Sequence, residues 1–473
     1  MFKTFCRSAA ITLLAAISSS MMHAQVAANS TIKVDTVRVR FDDLVRTALT
    51  WNLRLQSIGA ETRGIRSGAL AVRSPYDPLL GAAAATNEQR YGAQVSGVTP
   101  TGASYAGSYT RTAFAGEQAK QNAFLASISQ PILRGFGFAS LRNTIHATDE
   151  AIASADARLS QARVDITATV GMLYAQLIES HQIEAVDSRS LGRAEELGAA
   201  YEELRRLDKI TEVDLITAQL GVTSRRAELI SARRVRQSAQ DELVVAVYGS
   251  RSVARFPADD VVLMAADSVP TEEGTSLDDA IAKALAARPD VEAARRQVFE
   301  VRYLETVARN LQLPTLDLSV ALSRSRIDGV SPLFGTLYNS LASPTKASFG
   351  LTLSRPLFNN AGNADRERAA AAVDLARVAL ADAENVVRLD VRSAYRDINV
   401  GRELVRFASA ASELARRQYD GERARLDLGL TDIFRVLQVN DQVAKVEVNE
   451  AIARSSLATA QVRMRAAMGI GAQ

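Results

Sequence analysis

The sequence predicts a mainly α protein with a membrane β part. Long coiled-coil helices would form an α-helical barrel, joined to a transmembrane β-barrel shared between subunits. Three observations predict this fold class. The chain repeats one pattern twice in the same order. Two tracts of more than a hundred residues each, one between Pro131 and Pro257 and one after Pro356, contain no proline. Short segments alternate strictly between apolar and small polar residues.

Met1 to Ala24 reads as a secretory signal. Lys3 and Arg7 precede the apolar run Ala9 to Ile17, and small residues follow it. The sole cysteine, Cys6, falls inside this leader, so the mature chain is an exported protein without disulfides or a lipid-anchor cysteine. Among 473 residues, 56 Lys+Arg face 53 Asp+Glu, a balance that argues against a nucleic-acid binder. No run of 18 apolar residues is present to make a spanning helix. Aromatics make up only 5%, which suits close-packed helices better than a rounded core.

The duplication sets the domain boundaries: a first repeat over 25–249, a linker over 250–276 and a second repeat over 277–470. Phe41-Asp42-Asp43 matches Leu277-Asp278-Asp279, and Ser129-Gln130-Pro131 matches Ser354-Arg355-Pro356. Val170…Tyr174 matches Val391…Tyr395, and Thr211-Glu212-Val213 matches Thr431-Asp432-Ile433. Each repeat reads as a front helix, strands, a very long helix, a turn and a return helix.

The front helices are expected over Phe41 to Ser74 and Leu277 to Leu311, the second kinked or broken at Pro289. The long helices are expected over Gly137 to Arg206 and Ala361 to Arg425, roughly 100 Å each. Their inner stripes run through Ala155, Leu159, Ala162 and Ile166 in one, and Val387, Val391, Ala394 and Ile398 in the other. The return helices, Thr211 to Val247 and Thr431 to Met468, are about 55 Å each. A front helix and a return helix stacked end to end would match one long helix, giving a wall about 100 Å tall.

In the strand Thr315 to Ser323, Leu316, Leu318, Val320 and Leu322 share one face, opposite Thr315, Asp317 and Ser319. Phe349, Leu351 and Leu353 do the same in Ser348 to Ser354. Phe124 to Ser129 alternates more weakly. An apolar face on one side and a small polar face on the other suit lipid outside and water inside. Each half offers about two such strands. Four strands cannot close a barrel, and open edges cannot sit in lipid, so several copies must share one barrel; three would give twelve strands. Tyr91 to Arg111 reads as an extra hairpin around Pro100-Thr101-Gly102, and Ile327 to Lys346 as a surface loop.

These residues resemble the TolC family of outer-membrane efflux proteins. The resemblance rests on Ser129-Gln130-Pro131-Ile132-Leu133-Arg134-Gly135-Phe136-Gly137 between strand and long helix and on its echo Ser354-Arg355-Pro356-Leu357-Phe358. The duplicated acidic helix starts and the run Gly429-Leu430-Thr431-Asp432-Ile433-Phe434-Arg435 add to it. It implies a homotrimer with a twelve-stranded barrel in the outer-membrane lipid of a Gram-negative bacterium. A helical tunnel would cross the periplasm to a periplasmic adaptor (membrane fusion) protein and an inner-membrane transporter. The implied function is an exit duct for efflux or secretion, with no cofactor and no catalysis. A soluble periplasmic coiled-coil scaffold is the alternative, but it has no use for the alternation at Leu316 to Leu322.

The resemblance also places a gate at the hairpin tips. The residues there are Thr211, Glu212 and Asp214 in the first repeat and Asp427, Thr431, Asp432 and Arg435 in the second. The family's acid ring falls on positions that hold Arg435 and Gln438 here, leaving Asp427 and Asp432 as the nearest carboxylates. A plainer reading is that Thr211 and Thr431 cap the return helices. His146 and His181 are too far apart on one helix to make a metal site, and no group of nucleophile, base and orienting residue suggests an enzyme.

Overall fold

The computed structural model describes residues 35–85, 90–113, 120–249, 261–267, 276–331, 336–342 and 344–471. The expected leader, residues 1–24, lies outside the described residues.

The proline-free tracts form α3 (Phe138–Arg206) and α7 (Asn360–Asp427), each about 100 Å long. The return helices are α4 (Glu212–Tyr248) and α8 (Ile433–Ala467). Both front helices are broken into pairs: α1 (Phe41–Trp51) with α2 (Leu53–Arg73), and α5 (Leu277–Ala287) with α6 (Pro289–Leu311). The break before Pro289 was legible; the one at Asn52 was not. Asn52 is extended, and its side-chain oxygen accepts from the amides of Arg54 and Leu55, capping α2. Its side-chain amide donates to the Ala246 carbonyl at 3.0 Å, which anchors the break against α4.

Packing stacks the short helices along the long ones as the lengths require. In the half nearest the strands, neighbours run α2, α3, α6, α7; in the far half they run α4, α3, α8, α7. The wall is four helices wide at both levels. Equivalent positions of the two repeats build two cores at the same height. Phe41, Val45, Val170 and Tyr174 anchor the first; Ala280, Val291, Val387 and Val391 anchor the second.

Between the two halves of the wall lies a small parallel sheet of β1 (Asp35–Val39) and β6 (Val261–Ala265). The segment read as a linker therefore carries a strand; its residues 250–260 and 268–275 lie outside the described residues. The Tyr174 hydroxyl lies 2.5 Å from Asp267 Oδ1 and 3.0 Å from the Val39 carbonyl, tying α3 to this sheet. Burial, reinforced by the hydrogen bond to Asp267, pushes its pKa up to about 12. His181 Nε2 meets the Leu263 carbonyl at 2.6 Å, and burial lowers its pKa, so the neutral ring ties the sheet to α3.

The large sheet corrects the expected strand count. The first half supplies four strands, β2 (Leu79–Ala85), β3 (Arg90–Val98), β4 (Ser104–Ala113) and β5 (Lys120–Pro131). The second supplies β7 (Thr315–Ser331), β8 (Thr336–Ala342) and β9 (Lys346–Ser354). The sheet order is β2-β3-β4-β5-β7, with β8 and β9 both on the free side of β7. Much of the segment read as a surface loop, 327–346, is therefore strand. The extra hairpin is β3–β4, inside the sheet, and its turn points toward the helices. Gly137 N donates to the Thr101 carbonyl at 3.1 Å, and Gly102, at φ +89°, leaves no room for a Cβ beside the Gly135 carbonyl. The hairpin itself was legible; β2 was not, because alanine and glycine, rather than alternating bulky residues, fill much of it.

One buried polar tie joins three helices near the middle of the far half. Glu447 on α8 is 3% exposed and accepts from Arg189 on α3, at 3.2 Å, and from Arg416 on α7. Burial opposes its ionisation, but the two guanidiniums outweigh that and hold the carboxyl below its usual range. Its stabilisation is therefore complete above about pH 4.5 and fades as pH falls through the lower folded value. Glu447→Gln should destabilise the protein by about 1–3 kcal/mol at pH 7. The gap between parent and variant should shrink toward pH 3. Unfolding followed by circular dichroism across that range checks both points.

Candidate functional site

Three surfaces of the chain are unfinished: one face of the sheet, the two edges of the wall and the hairpin tips. The sheet's face follows from register. Leu316, Leu318 and Val320 on β7 stand directly opposite Leu353, Leu351 and Phe349 on β9. Across β5, Ile128 opposes Val320 and Ala126 opposes Leu322. The same face continues through Tyr105 and Tyr109 on β4, Val95 on β3 and Leu80 on β2. All seven residues read from the sequence, Leu316, Leu318, Val320, Leu322, Phe349, Leu351 and Leu353, share this one face. Phe349, Leu351 and Leu353 are 65–77% exposed in the single chain. The opposite face carries Asp317, Ser319, Ser127, Ser129 and Thr352, with small residues between them. Tyr91, Tyr109 and Phe124, beside Arg111 and Arg324, border the apolar face at the end away from the helices. Amphipathic side chains of this kind gather where lipid meets water.

The wall's edges were missed in the sequence. Along α7, Leu375, Val378, Leu389, Val400, Phe407 and Leu414 form an exposed apolar stripe. Along α4, at the opposite edge, Val213, Ile216, Leu220 and Ile230 form another. Their spacings, three, eleven and seven residues along α7 and three, four and ten along α4, were the available signal.

At the tips, α3 ends at Arg206 and α4 starts at Glu212; α7 ends at Asp427 and α8 starts at Ile433. Thr211 and Asp214 form a reciprocal capping box, each accepting from the other's amide at 3.2 and 3.0 Å. The Thr211 hydroxyl and amide hold the Asp214 carboxyl below its usual range. In the second tip the cap is Asp432, which accepts from the Arg435 amide at 2.8 Å, and not Thr431. The left-handed residues Asp208 and Gly429 match at the same spacing. Thr211 is thus equivalent to Asp432, one residue off the sequence alignment of the tips. The reason is that helix starts are fixed by the turn before them, not by the shared threonine.

Several other tip charges have local partners: Arg205 with Asp208, Arg425 with Glu422, Asp427 with Arg423, and Arg435 with Gln438. Glu212 has no partner in its own chain among the described residues. Neither the Arg425 nor the Arg435 guanidinium pairs with Glu212 or with the Asp432 carboxylate within one chain. Tyr201, Ala218 and Ile433 cluster just above the turns and hold the two hairpins side by side.

Comparison with known proteins adds a likeness to one family. Residues 280–470 match the model described as outer membrane efflux protein. Solved structures extend the likeness of fold to nearly the whole chain. The outer-membrane channel OprN aligns with a TM-score of 0.69 and 19% identity, covering 91% of this chain and 90% of that one. Outer membrane protein VceC of Vibrio cholerae gives 0.68 and 16%, covering 91% and 96%. The open state of the Neisseria gonorrhoeae MtrE outer membrane channel gives 0.64 and 18%, covering 94% and 93%. No curated protein matches at the same stringency.

The sheet's two faces differ in polarity, one apolar and the other small and polar, so substitutions should separate them. Leu318→Arg or Leu351→Arg should impair insertion, at about 2–4 kcal/mol near the bilayer midplane. Asp317→Ser and Thr352→Ser, on the other face, should insert like the parent. Yield in the outer-membrane fraction reports both.

Proposed function

We propose that three copies of this chain form a passive exit duct for efflux or secretion across the periplasm and outer membrane. The observation that carries the reading is the pair of unfinished edges. A wall four helices wide ends in an exposed apolar stripe on α7 at one side and on α4 at the other. Repetition by rotation brings the α7 edge of one copy against α2 of the next in the half nearest the strands and against its α4 in the far half, and closes a ring. Three copies give twelve helices around a central tunnel. The sheets close in the same way, with Leu316, Leu318, Val320, Leu322, Phe349, Leu351 and Leu353 against outer-membrane lipid and the small polar face toward the lumen.

A soluble scaffold would leave that apolar face in water. The reading predicts that the protein leaves the envelope only with detergent, as a particle of three copies. A stable monomer in a detergent mass measurement would overturn it.

The free ends of the helices, at the hairpin tips, lie farthest from the membrane. There we place the periplasmic adaptor and, through it, an inner-membrane transporter. Thr211, Glu212, Asp214, Asp427, Thr431, Asp432 and Arg435 form the rim of this end. Glu212, without a partner in its own chain among the described residues, is available to Arg425 or Arg435 of the neighbouring copy, whose guanidiniums at present hold Glu422 and the neutral amide of Gln438. Such pairs, repeated by symmetry, close the end when idle. Glu212→Ala combined with Arg435→Ala should raise single-channel conductance in a planar bilayer and sensitise cells to large antibiotics. Conductance equal to the parent's at low salt, where exposed pairs are strongest, would remove these charges from the gate.

A further inference from the structure

The charges on β4, β5 and β7 are unevenly placed. At the end away from the helices they gather on the apolar face. One row of register runs Arg111, Asn122, Arg326, and the row below it runs Tyr109, Phe124, Arg324. Lys120 and Asp328 stand opposite each other in the row above. By alternation all of these share a face with Ile128, Val320 and Leu322. On the other face the intervening rows hold Thr112, Gln121 and Ile327, then Thr110, Ala123 and Ser325, all uncharged. Charges that served only hydration would be better placed on that water-facing side.

Their height is informative. Arg324 lies eight residues beyond Leu316. That is about 20 Å along the membrane normal for a strand tilted by about 40°. An apolar band is about 25 Å tall, so the arginine rows lie at its outer boundary, where a charge costs only about 0–1 kcal/mol. Lipid headgroups meet the protein at this level.

Internal hydrogen bonds hold the centre of the cluster and leave three cations unpaired. The Tyr109 hydroxyl donates to Asn122 Oδ1 at 3.0 Å, and Asn122 Nδ2 donates to Asp328 Oδ2 at 3.4 Å. Arg326 Nε donates to Asp328 Oδ1 at 2.8 Å. Asp328 is thus engaged by Asn122 and Arg326, and Lys120, although opposite it, makes no ion pair with it. Arg111, Lys120 and Arg324 are exposed and have no anionic partner among the described residues. Four cations therefore surround one carboxylate. Arg111 and Arg326 stand two strands apart, about 10 Å, with Asn122 between them.

We propose that this cluster binds the phosphate monoester headgroup of an outer-leaflet lipid, whose acyl chains lie down the apolar face over Phe124, Ile128 and Leu322. The proposal rests on the outer-membrane reading above. Guanidinium groups pair with phosphate oxygens through two parallel hydrogen bonds, so arginines on flanking strands hold one phosphate from both sides. A monoester carries about −1.5 to −2 charge at pH 7, which matches the surplus of cations better than a singly charged diester or a zwitterion. The apolar face continues from the cluster toward the helices through Ile128, Val320 and Phe349, so one lipid molecule satisfies both surfaces. A headgroup held here fixes the depth at which the sheet sits in the membrane.

Native mass spectrometry of the full chain in detergent tests the proposal. Phosphatidic acid is the monoester probe, and phosphatidylcholine with the same acyl chains is the zwitterionic one. The parent should bind phosphatidic acid more tightly by about tenfold. Arg111→Gln combined with Arg324→Gln should abolish that preference, and Arg111→Lys with Arg324→Lys, which keeps the charge, should retain part of it. Arg90→Gln, on the opposite face of β3, should bind like the parent. Equal binding of the two lipids by the parent would overturn the site, as would an undiminished preference in the glutamine pair. Inorganic phosphate that displaces phosphatidic acid at equal concentration would show that the acyl chains add nothing, and would overturn the lipid assignment. A chain that leaves the envelope without detergent would overturn the outer-membrane reading instead, whichever lipid it binds.

Discussion

A sheet that presents one face to lipid cannot keep open edges, because the backbone groups along them have no water to bond. The remaining architecture is consistent with that constraint. In one chain β2 and β9 each have a neighbour on one side only. The helical wall below has the same defect in a milder form, since α4 and α7 each end the wall with apolar residues uncovered. Both defects have one remedy, which is repetition about an axis. On the proposed three-copy reading, a single chain is one segment of a closed object, and its exposed leucine, valine and phenylalanine form the joint.

Duplication gives each segment its regularity, and the departures from exact repetition are local. Val170 and Val391 occupy equivalent core sites, as do the breaks at Asn52 and Arg288. Arg288 serves differently from Asn52: its guanidinium binds Asp290 and Asp390 and so ties α6 to α7. The hydrogen bonds to those carboxylates outweigh burial and keep it firmly charged. Glu447, with Arg189 and Arg416, does a similar task lower down, where alanine-rich helices have few large side chains to fix their register. Polar ties of this kind define which helix faces which, a matter that small apolar residues leave loose.

The small sheet of β1 and β6 fixes the height at which the two repeats meet. It brings together the start of the described chain and the segment between the repeats, and Tyr174 and His181 of α3 hold it from one side. The rigid middle leaves the two ends free to differ. Above it the chain becomes sheet through the bend at Gly135 and Gly137, both left-handed. Below it the hairpins end in short capped turns.

Much of this was legible in the sequence, and for definite reasons. Proline excludes helix interiors, so its absence marked α3 and α7 to within a few residues. Strict alternation of branched and small polar residues marked β7 and β9, because period two admits no other regular structure. Duplication marked the order of elements. The tertiary structure alone decided the rest. A strand made largely of alanine and glycine carries no alternation strong enough to read, so β2 became visible only through its hydrogen-bonded neighbour. The break at Asn52 depends on a contact with Ala246, 194 residues away. The offset between the two tips depends on backbone turns at Asp208 and Gly429, which residue identity does not reveal. Local sequence determines which elements can form; which edges remain open is a property of how those elements meet.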